Sequence, residues 1–519
     1  MFRSIFKRQL LLYSRQTPKR YLTQKASDVS KVNQYPRFKI IPETHGKWIS
    51  VKDLERYQTL LEKGQKAEQD IVTLTGRISS KRESSAKLVF YDIVQNGETV
   101  QVVASRNRFN GTSKDFEEAN RQLSRGDIVS FTGVPGKTNH GQLSVFVTKE
   151  MKVLTPCLRD IPLSGLKDHE KRFRQRHLDL LVNPTSVNIL KTRSKIVRYI
   201  RDFFDSRGFL EVETPVLSTS AGGANARPFE THAHALDVDM QLRIAPELYL
   251  KRLVIGGMDR VYEIGKQFRN EGVDADHNPE FTTCESYQAY GNLETLMNDT
   301  EELLSGMVTE VCGNKPVMTK AGHMVDFKKP FNRINVMERL SSVLGTPISF
   351  LDSPDALDRL IEICKQLKVH PSEPLTTTRI LDELISVYIE PECVQPTFLY
   401  NHPLALSPLA KDAIDDNGQR YAARFELFIG GKEIVNAYEE LNDPEEQRKR
   451  FKEQLKEKDL GDVEVPLPDM DYCEALEYGL PPTAGWGMGI DRVVQLLTGA
   501  SHIREVLAFP LMRPLNTKE

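Results

Sequence analysis

Arg260-Val-Tyr-Glu-Ile-Gly-Lys-Gln-Phe-Arg269-Asn-Glu271 is followed, after Val273–Asp276, by His277-Asn278-Pro-Glu280-Phe281 and Thr282-Thr-Cys-Glu285-Ser-Tyr287. This stretch reads as strand, polar loop and returning strand. Side chains alternate across a strand, so Arg269 and Glu271 share a face of the first strand. Phe281, Glu285 and Tyr287 share a parity on the second, so they can line the same face. An arginine, a histidine, an aromatic ring and two carboxylates on one concave sheet face suit a bound nucleotide. Arginine forks onto phosphate and phenylalanine stacks on a base. The same residues would also make a surface salt-bridge ladder.

Two further clusters lie downstream. Glu426 and Glu433 flank Gly430-Gly431, so a hairpin would bring two carboxylates together, with Asn436, Tyr438 and Glu440 just beyond. Paired carboxylates beside a nucleotide are a usual way to hold Mg²⁺, phosphate oxygens and waters completing its octahedron. In Gly485-Trp-Gly487-Met-Gly489-Ile-Asp491-Arg492, glycines that admit close backbone approach precede a helix with an arginine in its first turn. From about residue 170 onward the pattern is one large α+β domain. A helix is predicted over Ile189–Arg207, with strands at Leu242–Ile244, Val261–Ile264, Arg424–Ile429 and Glu433–Val435. Further helices are predicted at Leu293–Val311, Ala356–Gln366, Arg379–Tyr388, Pro444–Lys458 and Gly489–Thr498. Strands broken by long helical connections imply an antiparallel sheet flanked by helices. The charged helix Pro444–Lys458 reads as a solvated insertion.

Upstream the period is two. Runs at 71–76, 87–93, 99–103, 127–133 and 143–147, with a helix over Asp115–Leu123, match a five-stranded OB-type β-barrel. The face of such a barrel commonly binds single-stranded nucleic acid, although a β-domain without a ligand would look the same. Gly133-Val-Pro-Gly136-Lys137-Thr138 lacks the spacing of a phosphate-binding loop and reads as a hairpin turn. His232-x-His234 has no obvious third metal ligand. Ahead of the barrel, Val51–Gln65 reads as a charged helix. Residues 1–27 hold seven basic residues (Arg3, Lys7, Arg8, Arg15, Lys19, Arg20, Lys25) and no acidic one. With apolar residues at helical spacing, this has the form of a mitochondrial presequence and implies the mitochondrial matrix; a basic arm touching RNA is the alternative.

The expected organisation is a presequence at 1–27, a helical segment at 28–69, the barrel at 70–156, a linker at 157–180 and the α+β domain at 181–519. With 519 residues, 39% hydrophobic and 27% charged, the chain is too apolar for a disordered protein. No run approaches the roughly 20 apolar residues of a bilayer span. Six cysteines without a C-x-x-C pair point to reduced thiols. A formal charge of −2 becomes −9 once the seven presequence cations are removed, so any polyanion must be met by a focused patch.

Together, three segments resemble the signature motifs of class II aminoacyl-tRNA synthetases. They are Gly208-Phe-Leu-Glu-Val-Glu-Thr-Pro215 for motif 1, Phe268-Arg269-Asn-Glu271 with its returning strand for motif 2, and Gly485–Arg492 for motif 3. The flanking stretches Gly222–Phe229, Arg243-Ile-Ala-Pro-Glu-Leu-Tyr-Leu-Lys251, His277–Phe281 and Leu480–Gly485 are similar to lysyl-tRNA synthetases. Lys87–Asp92 and Gly136-Lys-Thr fit the eukaryotic-type branch, and the presequence the mitochondrial form.

The resemblance implies a lysine–tRNA ligase that forms lysyl-adenylate from lysine and ATP and charges mitochondrial tRNA(Lys), as a homodimer built through motif 1. Arg269 would hold the α-phosphate and the substrate carboxylate, with Glu271, His277 and Asn278 around the nucleotide. Phe281 and Arg492 would sandwich adenine, and Glu426 and Glu433 would carry Mg²⁺. The lysine α-amino group would meet Gly223, Glu247 and Glu285, and the side-chain ammonium Tyr287 and Glu440, with Asn436 and Tyr438 alongside. In the barrel, Arg77, Phe90 and Gln101 would meet the anticodon. Aspartyl- and asparaginyl-tRNA synthetases share these motifs, but an aspartate pocket needs a cation where this chain offers Glu440 and Tyr287. A catalytically dead RNA-binding paralogue would be expected to lose Arg269, Glu426, Glu433 or Arg492, and all are present. A paralogue that lysylates protein could dispense with the barrel.

Overall fold

The computed structural model describes residues 35–38, 46–220, 222–313, 315–415, 418–462 and 464–515. The presequence at 1–27 lies outside the described residues. The chain forms two compact units that divide between Gly165 and Leu166, within the stretch expected as a linker.

The first unit is a closed barrel of β1 (Val72–Ser85), β2 (Leu88–Gln95), β3 (Glu98–Ser105), β4 (Ile128–Lys137) and β5 (Leu143–Thr155). They pair in the order β1-β2-β3-β5-β4, and β4 closes back onto β1. Helix α1 (Ser113–Gln122) lies between β3 and β4. It opens with a capping box in which Thr112 and Asp115 satisfy each other's backbone N–H groups. Period-two burial fills the barrel with Leu74, Tyr91, Ile93, Val102, Phe131 and Val145, and Phe116 of α1 joins them. Gly133 lies inside β4 rather than in a turn. A Cβ there would stand 2.0 Å from the Phe146 carbonyl oxygen, so the glycine permits close strand approach. The chain turns later, where Gly141 N–H bonds to the Thr138 carbonyl at 2.8 Å. The helix expected over 51–65 is shorter, split between Lys52–Glu55 and Arg56–Leu60.

The second unit is built on a nine-stranded mixed sheet backed by helices. Helix α2 (Pro184–Asp205) begins with proline in its first turn and turns Ile189, Ile196, Ile200, Phe203 and Phe204 inward. Helix α3 (Glu247–Ile255) precedes β6 (Arg260–Phe268) and β7 (Glu280–Ala289), and α4 (Leu293–Cys312) follows. Helix α5 (Thr377–Tyr388) leads to β8 (Thr397–His402), then the hairpin β9 (Arg420–Ile429) and β10 (Lys432–Glu439). Helices α6 (Pro444–Asp459) and α7 (Met470–Leu476) lead to β11 (Thr483–Gly489) and α8 (Ile490–Thr498). The central order β8-β9-β10-β11-β7-β6 is antiparallel throughout; short strands at Asn332–Asn335 and Leu210–Glu211 add parallel edges.

Between sheet and helices, Phe204 stacks on Tyr262 with centroids 5.0 Å apart, and Trp486 Nε1 donates to Thr300 Oγ1 of α4 at 2.9 Å. Helices Val336–Leu344, Ala356–Leu367 and α5 form a separate apolar cluster that packs on Leu399 and Phe428 at the sheet edge. Two expectations shift. The strand near Leu242 is Val238–Leu242, in a small separate three-stranded sheet. The first motif strand ends at Phe268, so Arg269 and Glu271 lie in the loop beyond it and strand alternation does not orient them.

Candidate active site

The central strands, β7, β9, β10 and β11, carry a cavity of about 770 Å³ on the face opposite the main core. The register explains why their side chains converge. Glu285 pairs with Gly487 across β7 and β11, and Gly487 with Asn436 across β11 and β10. Asn436 in turn pairs with Glu426 across β10 and β9. Directly opposed residues share a face, so the two carboxylates and Asn436 point the same way over a backbone cleared by glycine. Gly223, Glu247, Arg269, Glu271, His277, Asn278, Phe281, Glu285, Tyr287, Glu426, Glu433, Asn436, Tyr438 and Arg492 all line this cavity. Glu440 sits just behind its floor, 1% exposed.

At one end the groups are cationic and aromatic. The Arg269 guanidinium lies 5.1 Å from the Phe281 ring centroid, and its buried Nε has no partner. Arg492 donates from Nη1 to the Glu433 carboxylate at 3.1 Å, and its Nη2 lies 3.2 Å from His277 Nε2. The neighbouring Asp491 fixes the start of α8. It accepts the Thr282 backbone N–H at 2.7 Å and is ion-paired with Arg193 of α2.

The other end is acidic. Tyr438 donates to Glu247 at 2.7 Å, and Lys251 Nζ donates to the same carboxylate at 2.6 Å. Burial, reinforced by the Glu247 charge, pushes the Glu285 carboxyl up to about 8 and likewise raises Tyr287; at Glu440 burial pushes upward too, but the Lys251 ammonium opposes it and favours the carboxylate. Burial would lower Lys251, but Glu247 and Glu440 outweigh it and hold the ammonium charged. A desolvated acidic floor of this kind favours a cationic ligand.

Glu426 behaves differently. Burial opposes its charge, yet Arg424 and His402 bind its two oxygens and hold it at about 2. Glu433, across the same hairpin, lines the cavity too. Two carboxylates and no thiolate make a hard-oxygen donor set that fits Mg²⁺ shared with phosphate oxygens. Among the described residues, no group of three or more His, Cys, Asp or Glu is arranged to hold a metal by itself. His232 instead hydrogen-bonds Asp239 at 2.7 Å on an exposed hairpin.

Several cavity residues escape the sequence reading. Lys251, behind the cavity floor, is one residue missed; it stands i,i+4 from the expected Glu247, which puts the two on one helix face, and that spacing is the signal that could have found it. Arg424, His402, Asp382 and Glu390 surround Glu426 without any motif of their own, and burial pushes Glu390 up to about 7. Helix α6 is not a solvated insertion. It buries Gln447, Arg450 and Phe451, and its Phe451, Gln454 and Glu457 line the cavity. Its exposed lysines and glutamates mask one buried stripe.

In the barrel, Phe90 pairs with Val103 and Asp92 with Gln101, which places Phe90 and Gln101 on one outer face. Phe90 packs with Val103, Val134 and Phe146 outside the main core. Gln101 is buried and accepts from Ser144 Oγ at 3.2 Å; Arg77 donates to the Gly126 carbonyl at 2.6 Å.

Residues 168–513 match the family model described as tRNA synthetases class II (D, K and N), and residues 72–153 match the OB-fold nucleic acid binding domain. A probable cytoplasmic lysine–tRNA ligase of Encephalitozoon cuniculi is 48% identical over 463 residues, 86% of this chain and 88% of the relative. A mitochondrial lysine–tRNA ligase of Schizosaccharomyces pombe is 46% identical over 452 residues, covering 85% and 84%. A lysine–tRNA ligase of Listeria monocytogenes is 45% identical over 444 residues, covering 85% and 87%.

Proposed function

Because the chain belongs to the class II lysyl-tRNA synthetase family, we propose that the cavity activates lysine with ATP and that the lysyl group passes to tRNA(Lys). The observation that carries this reading is the acidic floor of Glu247, Glu285 and Glu440 beside the cationic, aromatic end at Arg269. A lysine laid across it would place its ammonium groups on carboxylates and its carboxylate toward Arg269. A carboxylate oxygen attacks the α-phosphorus of ATP, a P–O bond breaks and pyrophosphate leaves. A ribose hydroxyl of the tRNA 3′ end then attacks the acyl carbon and AMP leaves. No side chain need act as nucleophile; orientation and charge stabilisation do the work.

In this reading Arg269 holds the α-phosphate, with Glu271, His277 and Asn278 around the nucleotide and Phe281 and Arg492 on either face of adenine. Gly223, Asn436 and Tyr438 complete the lysine site with Tyr287. Glu426 and Glu433 would hold Mg²⁺, which when bound neutralises phosphate charge. The barrel at 70–156 would receive the anticodon through Arg77, Phe90 and Gln101. A homodimer is supported by apolar side chains left exposed around motif 1, among them Leu210, Val216, Leu217 and Met258.

Mitochondrial action is supported by the acid-free basic composition of residues 1–27 and by the S. pombe relative. Among the described residues, no helix is long and apolar enough to cross a membrane. The deciding experiment incubates purified protein with ATP, mitochondrial tRNA and lysine, aspartate or asparagine in parallel. Charging with lysine alone is expected. ATP use without tRNA charging would favour modification of a protein, and no ATP use a scaffold.

A further inference from the structure

The floor of the proposed lysine site already contains an ammonium. Lys251, fully buried on α3, binds Glu247 at 2.6 Å and is ion-paired with Oε2 of Glu440. The rings of Tyr438 and Tyr472 flank it, with centroids 5.7 and 5.6 Å from Nζ. Glu440 therefore has two sides. Oε2 faces Lys251. Apart from that ion pair neither oxygen has a hydrogen-bond partner, and Oε1 is the one against Gly485 of the cavity wall, where a Cβ would come within 1.9 Å of it and 2.7 Å of Tyr287.

A carboxylate without water keeps its charge when a cation stays beside it and otherwise takes up a proton. Lys251 is that cation for Glu440. Once a cationic ligand draws Glu285 into its ionised form, Glu247, Glu285 and Glu440 are met by Lys251 and Arg269, which leaves one negative charge for the ligand to balance. Free lysine carries one net positive charge, so the filled site is neutral. We infer that Lys251 is a specificity-determining residue: pinned to Oε2, it keeps Glu440 anionic with Oε1 turned to the cavity, so that a cationic side chain is preferred to a neutral one of the same shape. This rests on the reading of the floor as a lysine site. Lys251 itself touches no substrate; it is a positioning residue that acts through Glu440.

Lys251→Met keeps an unbranched stem and removes the charge. The test is amino-acid-dependent ATP–pyrophosphate exchange by the full chain, with lysine and with norleucine, which keeps lysine's four side-chain carbons and carries a hydrogen in place of the ammonium. The variant should lower the lysine-over-norleucine ratio of kcat/KM at least tenfold, chiefly through the KM for lysine, while the KM for ATP stays within about twofold. Lys251→Arg should recover part of the ratio. A purely structural role would depress both amino acids alike, and an unchanged ratio overturns the inference. Should the Met variant fail to fold, the same ratio is read on Lys251→Gln, whose amide donates without charge. Wild-type protein that fails to prefer lysine would defeat the pocket reading itself, before any variant is compared.

Discussion

Arg492 donates through Nη1 to both the backbone carbonyl and the carboxylate of Glu433, at 2.9 and 3.1 Å. A side chain proposed to cover adenine is thus tied to one proposed to hold the metal, so the first turn of α8 and strand β10 brace each other before any nucleotide arrives. Arg492→Ala should lower kcat/KM for ATP by roughly 2- to 30-fold, the loss expected for a cation stacked on an aromatic face, about 0.5–2 kcal/mol. Pyrophosphate exchange at varied ATP checks it, and the lysine KM should move far less.

Glu440→Gln removes the anionic partner of buried Lys251. Breaking one side of a buried ion pair costs about 3–5 kcal/mol, so the variant should melt several degrees lower. Its KM for lysine should rise at least tenfold. Undiminished exchange at low lysine would sink the assignment of Glu440.

Gly485→Ala addresses the same corner sterically. The new methyl would meet Glu440 Oε1 at 1.9 Å and Tyr287 Cε1 at 2.7 Å. Overpacking of this kind costs about 1–3 kcal/mol, and here it displaces the two groups that would receive the ammonium. The expected result is a modest drop in melting temperature with a disproportionate rise in lysine KM, read by calorimetry and exchange kinetics.

Glu426 yields a pH signature. Its folded carboxyl is held at about 2 against an ordinary 4.5, despite burial, by Arg424 and His402. A depressed carboxylate stabilises the fold above its unfolded value, and that contribution drains away as pH falls from about 4.5 to 2. Glu426→Gln should therefore melt below wild type at pH 7, with the gap closing across that window. A gap independent of pH would contradict the assigned charge.

Phe90→Ala tests the barrel. Losing one base-stacking ring costs about 1–3 kcal/mol. The KM for tRNA in charging should rise roughly 5- to 100-fold, with a far smaller effect on exchange, which needs no tRNA.

The fold was legible where periodicity was strong. Each of the five period-two runs overlaps a barrel strand, and the Ile196–Phe204 stripe is the buried face of a long helix. Gly133, two residues before Pro135, reads as part of a turn, whereas it allows two backbones to touch inside a strand. Strand alternation would orient Arg269 and Glu271, yet they lie past the last strand residue, so loop geometry aims them. Helix α6 looked solvated because charge dominates its composition, and a stripe as narrow as Gln447, Arg450 and Phe451 barely alters the count. His402 gives no signal: its partner Glu426 is brought to it across the pairing of β8 with β9, which a linear text does not display, whereas Arg424 shares a strand face with Glu426 two residues away.

The solvent-free contact between Lys251 and Glu440 makes accuracy and solubility hard to separate. A mutation that disturbs this charge pair loosens the molecular interior as well as the choice of amino acid. A copy altered at this pair is expected to lose stability and discrimination together.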